Sequence, residues 1–229
     1  MKIVPALPIS LLCLTAGYLC AAETAAERLQ TSAAVLTEVM QAPDKGIPQD
    51  LLDKAQCVVI IPGMKKGAFI VGGKFGKGFF LCRRHSGVGW SAPAAVRVEG
   101  GSFGFQIGGS ETDVIMLVMN QRGAQKLLSS KFTLGGDASV AAGPVGRTTS
   151  ADTDLKMHAE ILTYSRARGV FAGVALNGAT LRPDEDTNAE LYGEKLTNQQ
   201  IVMGTVKAPP AAERLRAELD RYSSRKEPK

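Results

Sequence analysis

The chain has 229 residues, of which 45% are hydrophobic and 21% are charged, and its formal net charge is +5 at pH 7. This composition excludes an intrinsically disordered chain, and the length fits one large domain or two small ones. The 25 glycines, several of them in adjacent pairs between apolar runs, are typical of turns and bulges in a strand-rich protein.

Residues 1–22 have the features of a secretory signal peptide. Lys2 precedes an apolar stretch that prolines interrupt, and small residues lead to a cleavage site after Ala22. The stretch is too short and too proline-rich for a stable transmembrane helix. Cleavage would export the protein to the periplasm or cell envelope. Two alternatives stay open: an uncleaved anchor, and acylation at Cys20, which Leu19 before it disfavours.

Cys57 and Cys82 are the cysteines that remain after cleavage, and both lie in strand-like sequence. Two cysteines in an exported protein are consistent with one disulfide, here between neighbouring strands. Two buried free thiols are an equally good interpretation of the same sequence, so the pairing stays open at this point.

Residues 23–54 are predicted to be helical, in two pieces that Pro43 separates. The second piece covers 48–54. The first piece, 23–42, places apolar residues at i, i+4, i+7 and i+11, on one stripe of an amphipathic helix: Leu29, Ala33, Leu36 and Met40.

From Cys57 onward the apolar pattern becomes that of strands. CVVIIP is predicted to be a buried strand that a turn at Pro62-Gly63 ends, and strand-rich sequence continues to Arg84. Further strands are predicted over 87–98, 102–107 and 112–119, the last of them central to the sheet.

The second half of the chain mixes helices, strands and a glycine-rich segment over 134–147. Asn120 is predicted to cap a helix before that segment. Within the segment 134–147 itself, side chains larger than alanine are predicted to clash. Asn177-Gly178 predicts a hairpin between the strands that flank it. Two more strands are predicted over 157–165 and 169–176, and three more helices over 186–192, 197–203 and 209–222.

These elements predict an α+β protein: a curved, mostly antiparallel β-sheet or barrel-like sandwich flanked by N- and C-terminal helices. The predicted organisation is a signal peptide, an N-terminal helical segment, a main domain over 55–205, and a C-terminal helix with a basic tail over 206–229.

The sequence gives little support for a catalytic site or a metal site. Gly100 to Gly104 matches the G-x-S-x-G nucleophile elbow of serine hydrolases, but an elbow opens a helix, whereas strand-like FGFQI follows here. A hydrolase using Ser102 is therefore the less favoured alternative function. Cys57, Cys82 and His85 offer three candidate metal ligands without an evident fourth. We predict neither a metal nor a cofactor.

Basic residues carry the strongest indication of function. Phenylalanines alternate with the basic residues of 65–84, and a bent hairpin over 67–84 would place several cations on one face. Cations beside apolar rings suit an anionic membrane, which attracts the charge and accepts the rings. The candidate lipid-binding residues are Lys65, Lys66, Lys74, Lys77, Arg83, Arg84, Arg147, Arg166 and Arg168.

Other interpretations of these cations stay open. A soluble sheet with a lysine-rich outer face explains the lysines equally well, and the arginines of the second half could pair with Asp113, Asp137, Asp152 or Asp154. The same mixture of residues suits nucleic acid, which an exported protein rarely meets, so no nucleic-acid partner is predicted.

A series of ordered blocks extends from Ala55 to Gly193: CVVIIP, GAFIVGGKFGKG, WSAPAAV, GGSFGFQIGG, DVIMLVMN, LGGDASVAAGPVGR, ILTYSRARGVFAGVALNGATLRPD and NAELYG. Together they resemble the SYLF domain, a lipid-binding domain also found in yeast actin-patch proteins. The exported, stand-alone form is similar to bacterial members.

The resemblance implies phospholipid binding, with phosphoinositides favoured in eukaryotic members, and no established catalysis. It also implies membrane contact by a preceding helix, whose place 23–42 occupies, although Arg28 is the only basic residue there. Actin binding, known for yeast relatives, is hard to transfer to an exported protein. The predicted function is non-catalytic binding of anionic phospholipid by a peripheral membrane protein. The alternative is a structural or interaction protein of the envelope.

Overall fold

The computed structural model describes residues 23–42, 46–69, 71–84, 88–103, 108–145, 159–167, 170–173 and 176–223. The predicted signal peptide and the basic tail lie outside these ranges. All structural statements below concern the described residues.

One sheet dominates the fold. Its strands are β1 (Cys57–Phe69), β2 (Val71–Cys82), β3 (Ala94–Phe103), β4 (Gly108–Val118), β5 (Phe132–Thr133), β6 (Val140–Ala142), β7 (Ile161–Ala167), β8 (Val170–Gly173) and β9 (Thr180–Pro183). The strand order is β5-β9-β3-β2-β1-β4-β7-β6, and β8 pairs with β7. The β6–β7 pair is parallel and the other pairs are antiparallel.

The helices flank this sheet at both ends of the described chain, as predicted. They are α1 (Ala25–Gln41), α2 (Gln49–Lys54), α3 (Gln121–Leu127), α4 (Glu185–Tyr192), α5 (Asn198–Met203) and α6 (Glu213–Tyr222). Asn120 caps α3 as predicted, because its side chain accepts a hydrogen bond from the backbone N–H of Gly123. The predicted α+β class with a curled, mostly antiparallel sheet is confirmed.

Both faces of the sheet contribute buried side chains to a hydrophobic core. The outer face, marked by Val58, Ile60, Phe79 and Leu81, packs against α1, α2 and α6. The inner face, marked by Val59, Ile61, Phe80 and Val98, packs against side chains from α3, α5, β5 and β9. The apolar stripe of α1 belongs to the outer core, since Leu29, Ala33 and Leu36 are 0% exposed. That stripe therefore contacts the sheet in this structure.

At two predicted turns, the arrangement of the neighbouring strands differs from the prediction. Pro62-Gly63 does not end β1 but lies within it, where the register with β4 shifts between Ile61 and Met64. Gly63 has a φ of 57°, which favours glycine, so the apparent turn is a β-bulge. Asn177-Gly178 does form a turn, but β9 pairs with β3 and β5, so the predicted hairpin is wrong.

The strand predicted over 87–98 begins later than expected. Trp90 makes an isolated bridge with Arg83, and β3 extends from Ala94 to Phe103. Most of the strand predicted over 102–107 lies outside the described residues. Within the described ranges, no helix combines the length and the apolar character that crossing a bilayer requires.

Candidate functional site

Strand geometry divides the predicted basic residues between both faces and both ends of the sheet. We use "tip" for the end of the sheet at which the chain passes from β1 to β2, from β3 to β4 and from β7 to β8. We use "base" for the opposite end, where Cys57 pairs with Cys82. Neighbouring residues of a strand point to opposite faces. The expected single cationic face over 65–84 is therefore not present: Lys66 and Lys74 share the inner face, whereas Lys65 and Lys77 belong to the outer face.

Lys66 and Lys74 form a like-charged pair on the inner face near the tip. They are direct partners across β1 and β2, and both are half-buried. Among the described residues, neither makes a salt bridge. Burial lowers the pKa of Lys66, and repulsion from Lys74 lowers it further. These two ammonium groups therefore lack an acidic partner in the described part of the protein.

The outer face near the tip combines a cation with an exposed ring. Lys65 is exposed and lies directly opposite Phe75, which is 50% exposed. Glu111 is the partner of Lys65 on β4, and Glu99 is the partner of Phe75 on β3. This face is therefore mixed in charge, in contrast to the inner lysine pair.

A row of glycines crosses four strands beside the lysines. In order across the sheet, the register aligns Gly101, Gly73, Gly67 and Gly109. A Cβ atom added at Gly73 or Gly101 would meet no heavy atom within 4 Å. The glycines of this row are therefore not required by close packing at those two positions, and they leave backbone accessible near the tip.

Lys77 has a structural partner. Its Nζ lies 2.8 Å from the Oδ2 of Asp184, whose side chain is 2% exposed. Burial raises the pKa of Asp184, but hydrogen bonds from Lys77 and Thr187 outweigh that effect and hold the pKa below its usual range. The same carboxylate caps α4 by accepting from the backbone N–H of Thr187. Lys77 thus anchors α4 to the outer face of the sheet.

Arg166 is also paired within the protein. Its Nε and Nη2 donate to the Oδ2 of Asp113 at 2.8 and 2.7 Å, and its Nη1 forms a salt bridge with Glu38 of α1. Burial raises the pKa of Asp113, against a lowering by the backbone hydrogen bond from Gly63 and a further rise from Glu111. Pairing with Asp113, one of the alternatives for the arginines, therefore applies to Arg166. Arg147 and Arg168 lie outside the described residues.

The two arginines at the base differ in their contacts. The guanidinium of Arg83 lies 4.0 Å from the ring centroid of Trp90, and it donates to the carbonyl oxygens of Leu52 and Ser223 at 3.3 and 2.7 Å. Arg83 therefore links β2 to helices on the outer face. Arg84 is exposed, and its Nε donates to the carbonyl oxygen of Trp90 at 3.2 Å.

Cys57 and Cys82 are linked by a disulfide at the base, with an S–S distance of 1.93 Å. They are directly opposite in the register of β1 and β2. Because both sulfurs are bonded to each other, neither cysteine supplies a thiolate to the metal site considered with His85. Within the described ranges, no group of three or more histidine, cysteine or acidic side chains lies close enough to hold a metal ion.

A groove of about 710 Å³ opens beside the disulfide. Its walls come from the base of β1 and β2, from α3, and from the end of α5 with the residues after it. The sequence interpretation missed this groove because its walls come from segments far apart in the chain.

Ser102 lies within β3, one residue before its end, and pairs with Gly72 of β2. A nucleophile elbow places its serine at a sharp turn between a strand and a helix. The strand position of Ser102 contradicts that geometry, as the alternating sequence after it indicates.

Comparisons with known proteins agree with the fold and the sequence blocks. The family model described as "Ysc84: Las17-binding protein actin regulator" matches residues 99–222, more than half of the chain. The chain belongs to this family, whose members contain the SYLF domain that the blocks resemble.

Three individual relatives are identical to this chain at about a third of the aligned positions, and each of them is longer than this chain. An "SH3 domain-containing YSC84-like protein 1" of Xenopus laevis is 34% identical over 187 residues, which are 81% of this chain and 55% of the relative. The Homo sapiens protein of that name is 34% identical over 186 residues, 81% of this chain and 54% of the relative. "LAS seventeen-binding protein 3" of Saccharomyces cerevisiae is 35% identical over 176 residues, 75% of this chain and 38% of the relative.

The chain thus spans about half the length of the two vertebrate relatives. The names of all three describe binding proteins or proteins with an SH3 domain, and none states an enzymatic activity.

Proposed function

We propose that this protein binds anionic phospholipid at a membrane surface through the tip of its sheet, without catalysing a reaction. The observation that carries the proposal is the Lys66–Lys74 pair. Two half-buried lysines are direct partners across β1 and β2, and the described residues offer them no acidic partner.

This arrangement is unfavourable for the protein alone. Like charges directly opposite each other in a sheet are destabilising, and burial disfavours the charged form of lysine. A phosphate group between the two ammonium groups would remove the repulsion and replace the lost hydration. A basic residue near an anionic bilayer contributes about 1 kcal/mol, so several must act together.

Neighbouring features of the tip support membrane contact. On the outer face of the tip, Lys65 adds a third cation opposite Glu111, and the half-exposed ring of Phe75 can enter the interfacial region of a bilayer. The glycine row leaves backbone unobstructed at Gly73 and Gly101, so a surface can approach closely there. Lys77, Arg83 and Arg166 are excluded from the proposed lipid contacts because they have partners within the protein.

The finer part of the proposal concerns headgroup and location. A phosphoinositide carries several phosphates, which matches two adjacent ammonium groups better than a single phosphodiester does.

We further propose that the protein is located in the periplasm or envelope, peripherally bound to a membrane. The signal-like sequence over 1–22 and the disulfide, which persists in oxidising compartments, support that location. Binding of Las17 and regulation of actin are stated for relatives and are not part of this proposal.

Vesicle sedimentation tests the proposal. Binding of the oxidised protein should rise with the anionic lipid fraction and fall between low and high salt, because exposed charges are screened. Lys66→Gln with Lys74→Gln should reduce the vesicle partition coefficient about tenfold or more, two contacts of about 1 kcal/mol each. The matched control is Lys131→Gln with Lys195→Gln, two exposed lysines away from the tip, which removes the same charge.

The two double variants separate specific contact from net charge. An equal loss in both would mean that overall charge, not the tip, drives binding. Vesicle binding that is unchanged in the Lys66→Gln, Lys74→Gln protein would refute the proposed site. Absence of binding to anionic vesicles at low salt would refute the function itself.

A further inference from the structure

The charged residues that line the groove at the base are all cationic. Among the described residues, its charged lining residues are Arg83 and Arg84, and no described carboxylate lines it. Arg83 is engaged with backbone carbonyls and Trp90, whereas Arg84 is exposed and uses only its Nε within the described part of the protein. The two Nη groups of Arg84 therefore provide one cationic donor fork beside the groove, which suits one carboxylate in bidentate contact.

Apolar side chains contribute to two walls of the groove. Ala124 and Leu128 of the α3 region form one wall, and Val202, Met203 and Val206 form another. Met203 is 48% exposed, and among the residues whose side-chain burial the structure describes, Phe75 at the tip is the only other large hydrophobic residue with such exposure. An exposed methionine beside an open groove offers a flexible apolar contact that protein packing does not use.

We propose that this groove binds a single-chain amphiphile with a carboxylate head, that is, a fatty acid with a chain of about ten carbons or more. The carboxylate would pair with Arg84, and the alkyl chain would lie over Leu128, Val202 and Met203. The size of the groove, about 710 Å³, falls within the range of small-molecule sites, roughly 300–1,000 Å³.

Charge complementarity decides the class of ligand. One available guanidinium matches a monoanion, whereas a phosphate monoester with nearly two charges would require more cations than this groove provides. The uncharged polar side chains of the lining can hydrogen-bond to a headgroup without neutralising it; they are Gln56, Ser91, Gln121, Gln125 and Thr205. A neutral amphiphile would leave the Arg84 fork unpaired.

The site lies at the opposite end of the sheet from the lysine pair and does not depend on the proposed membrane contact. Arg84 follows the last residues of β2, whereas Lys74 lies near its first residues. The two proposals therefore make separate predictions for the same set of variants.

Calorimetric titration of the oxidised protein with decanoate, below its micellar concentration, tests this inference. Decanoate should bind measurably, whereas butyrate, with the same head, and decyl glucoside, with the same chain, should each bind at least about tenfold more weakly. The titration is paired with NMR of the methionine methyl groups, in which the Met203 signal should shift on addition of decanoate.

Substitutions at exposed positions should not unfold the protein, so a change in decanoate binding can be assigned to the groove. Arg84→Gln should weaken decanoate binding about tenfold through loss of a charged hydrogen bond, with Lys131→Gln as the charge control. Met203→Gln should weaken it about fivefold through lost apolar contact, with Phe75→Gln as a control of similar exposure. Lys66→Gln with Lys74→Gln should leave decanoate binding unchanged while it lowers vesicle binding.

Several results would overturn the inference. They are no detectable decanoate binding, equal binding by Arg84→Gln and wild type, and decyl glucoside bound as tightly as decanoate. Tighter binding of decyl phosphate than of decanoate would refute the assignment of a carboxylate head. Loss of decanoate binding in the Lys66→Gln, Lys74→Gln protein would place the ligand at the tip instead of the groove.

Discussion

The base and the tip of the sheet use the same strands in opposite ways. At the base, β1 and β2 are covered on both faces, joined by a disulfide, and linked by Arg83 to the outer helices. At the tip, the same two strands present unpaired lysines, a half-exposed phenylalanine and glycines without neighbours. The difference indicates that burial and a covalent link stabilise β1 and β2 at the base, whereas the same strands leave charged groups and backbone exposed at the tip.

Glycines of β2 distinguish the two ends most sharply. A Cβ at Gly78 would lie 2.0 Å from the backbone oxygen of Ile60, whereas a Cβ at Gly73 would meet nothing within 4 Å. Gly78→Ala should lower the free energy of unfolding by about 3 kcal/mol, because backbone must move. Gly73→Ala should stay within about 0.5 kcal/mol of wild type. Urea unfolding measures both, and similar losses would remove the contrast between base and tip.

The Lys77–Asp184 pair should contribute less, and in a pH-dependent way. Asp184→Asn keeps a good helix cap but removes the charge, so it should cost about 1–2 kcal/mol at pH 7. The folded pKa of Asp184 lies below the unfolded value of 3.8, so its contribution is complete above that value and is lost as the pH falls through the folded pKa.

Unfolding measured from pH 7 into the acid range checks this prediction. Wild type should lose more stability than Asp184→Asn as the pH falls below 3.8. Lys77→Gln and the double variant complete a thermodynamic cycle that isolates the pair. Parallel pH profiles for wild type and Asp184→Asn would show that the charge of Asp184 does not stabilise the fold.

The smallest expected effect has the opposite sign. Lys66→Gln should raise the free energy of unfolding by a few tenths of a kcal/mol, roughly 0.2–0.5, because it removes repulsion from Lys74. The matched control is Lys65→Gln, which removes a neighbouring cation whose partner on β4 is Glu111 and should give no such gain. Chemical denaturation of both variants tests this, and a loss of stability in Lys66→Gln would mean that the lysine pair is not strained.

The sequence predicted those elements whose pattern is local. The stripe from Leu29 to Met40 requires only helical spacing, and Asn120 caps α3 through a hydrogen bond three residues away. Gly143, within the glycine-rich segment, also fits the prediction of close packing, because a Cβ there would collide with the ring of Tyr164.

Features that depend on distant segments were not predictable from those patterns. Asn177-Gly178 has the composition of a hairpin turn, but β3 and β5, far away in sequence, provide the partners of β9. Strand alternation alone separates Lys65 from Lys66, yet the direct pairing of Lys66 with Lys74 depends on the register beyond the bulge near Gly63. The groove draws its walls from β1, β2, α3 and α5, so no single motif marks it.

The contact between the first and last described helices constrains how the chain folds during synthesis. The side-chain amide of Gln30 on α1 donates to the carbonyl oxygen of Ala211, just before α6, across 181 positions of sequence. Leu215 and Leu219 of α6 complete the same outer core as Leu29 and Leu36. The outer core therefore cannot close until the segment containing α6 has left the ribosome, and contacts of such high sequence separation form slowly. An incompletely synthesised chain would expose the apolar stripe of α1 to chaperones throughout that interval.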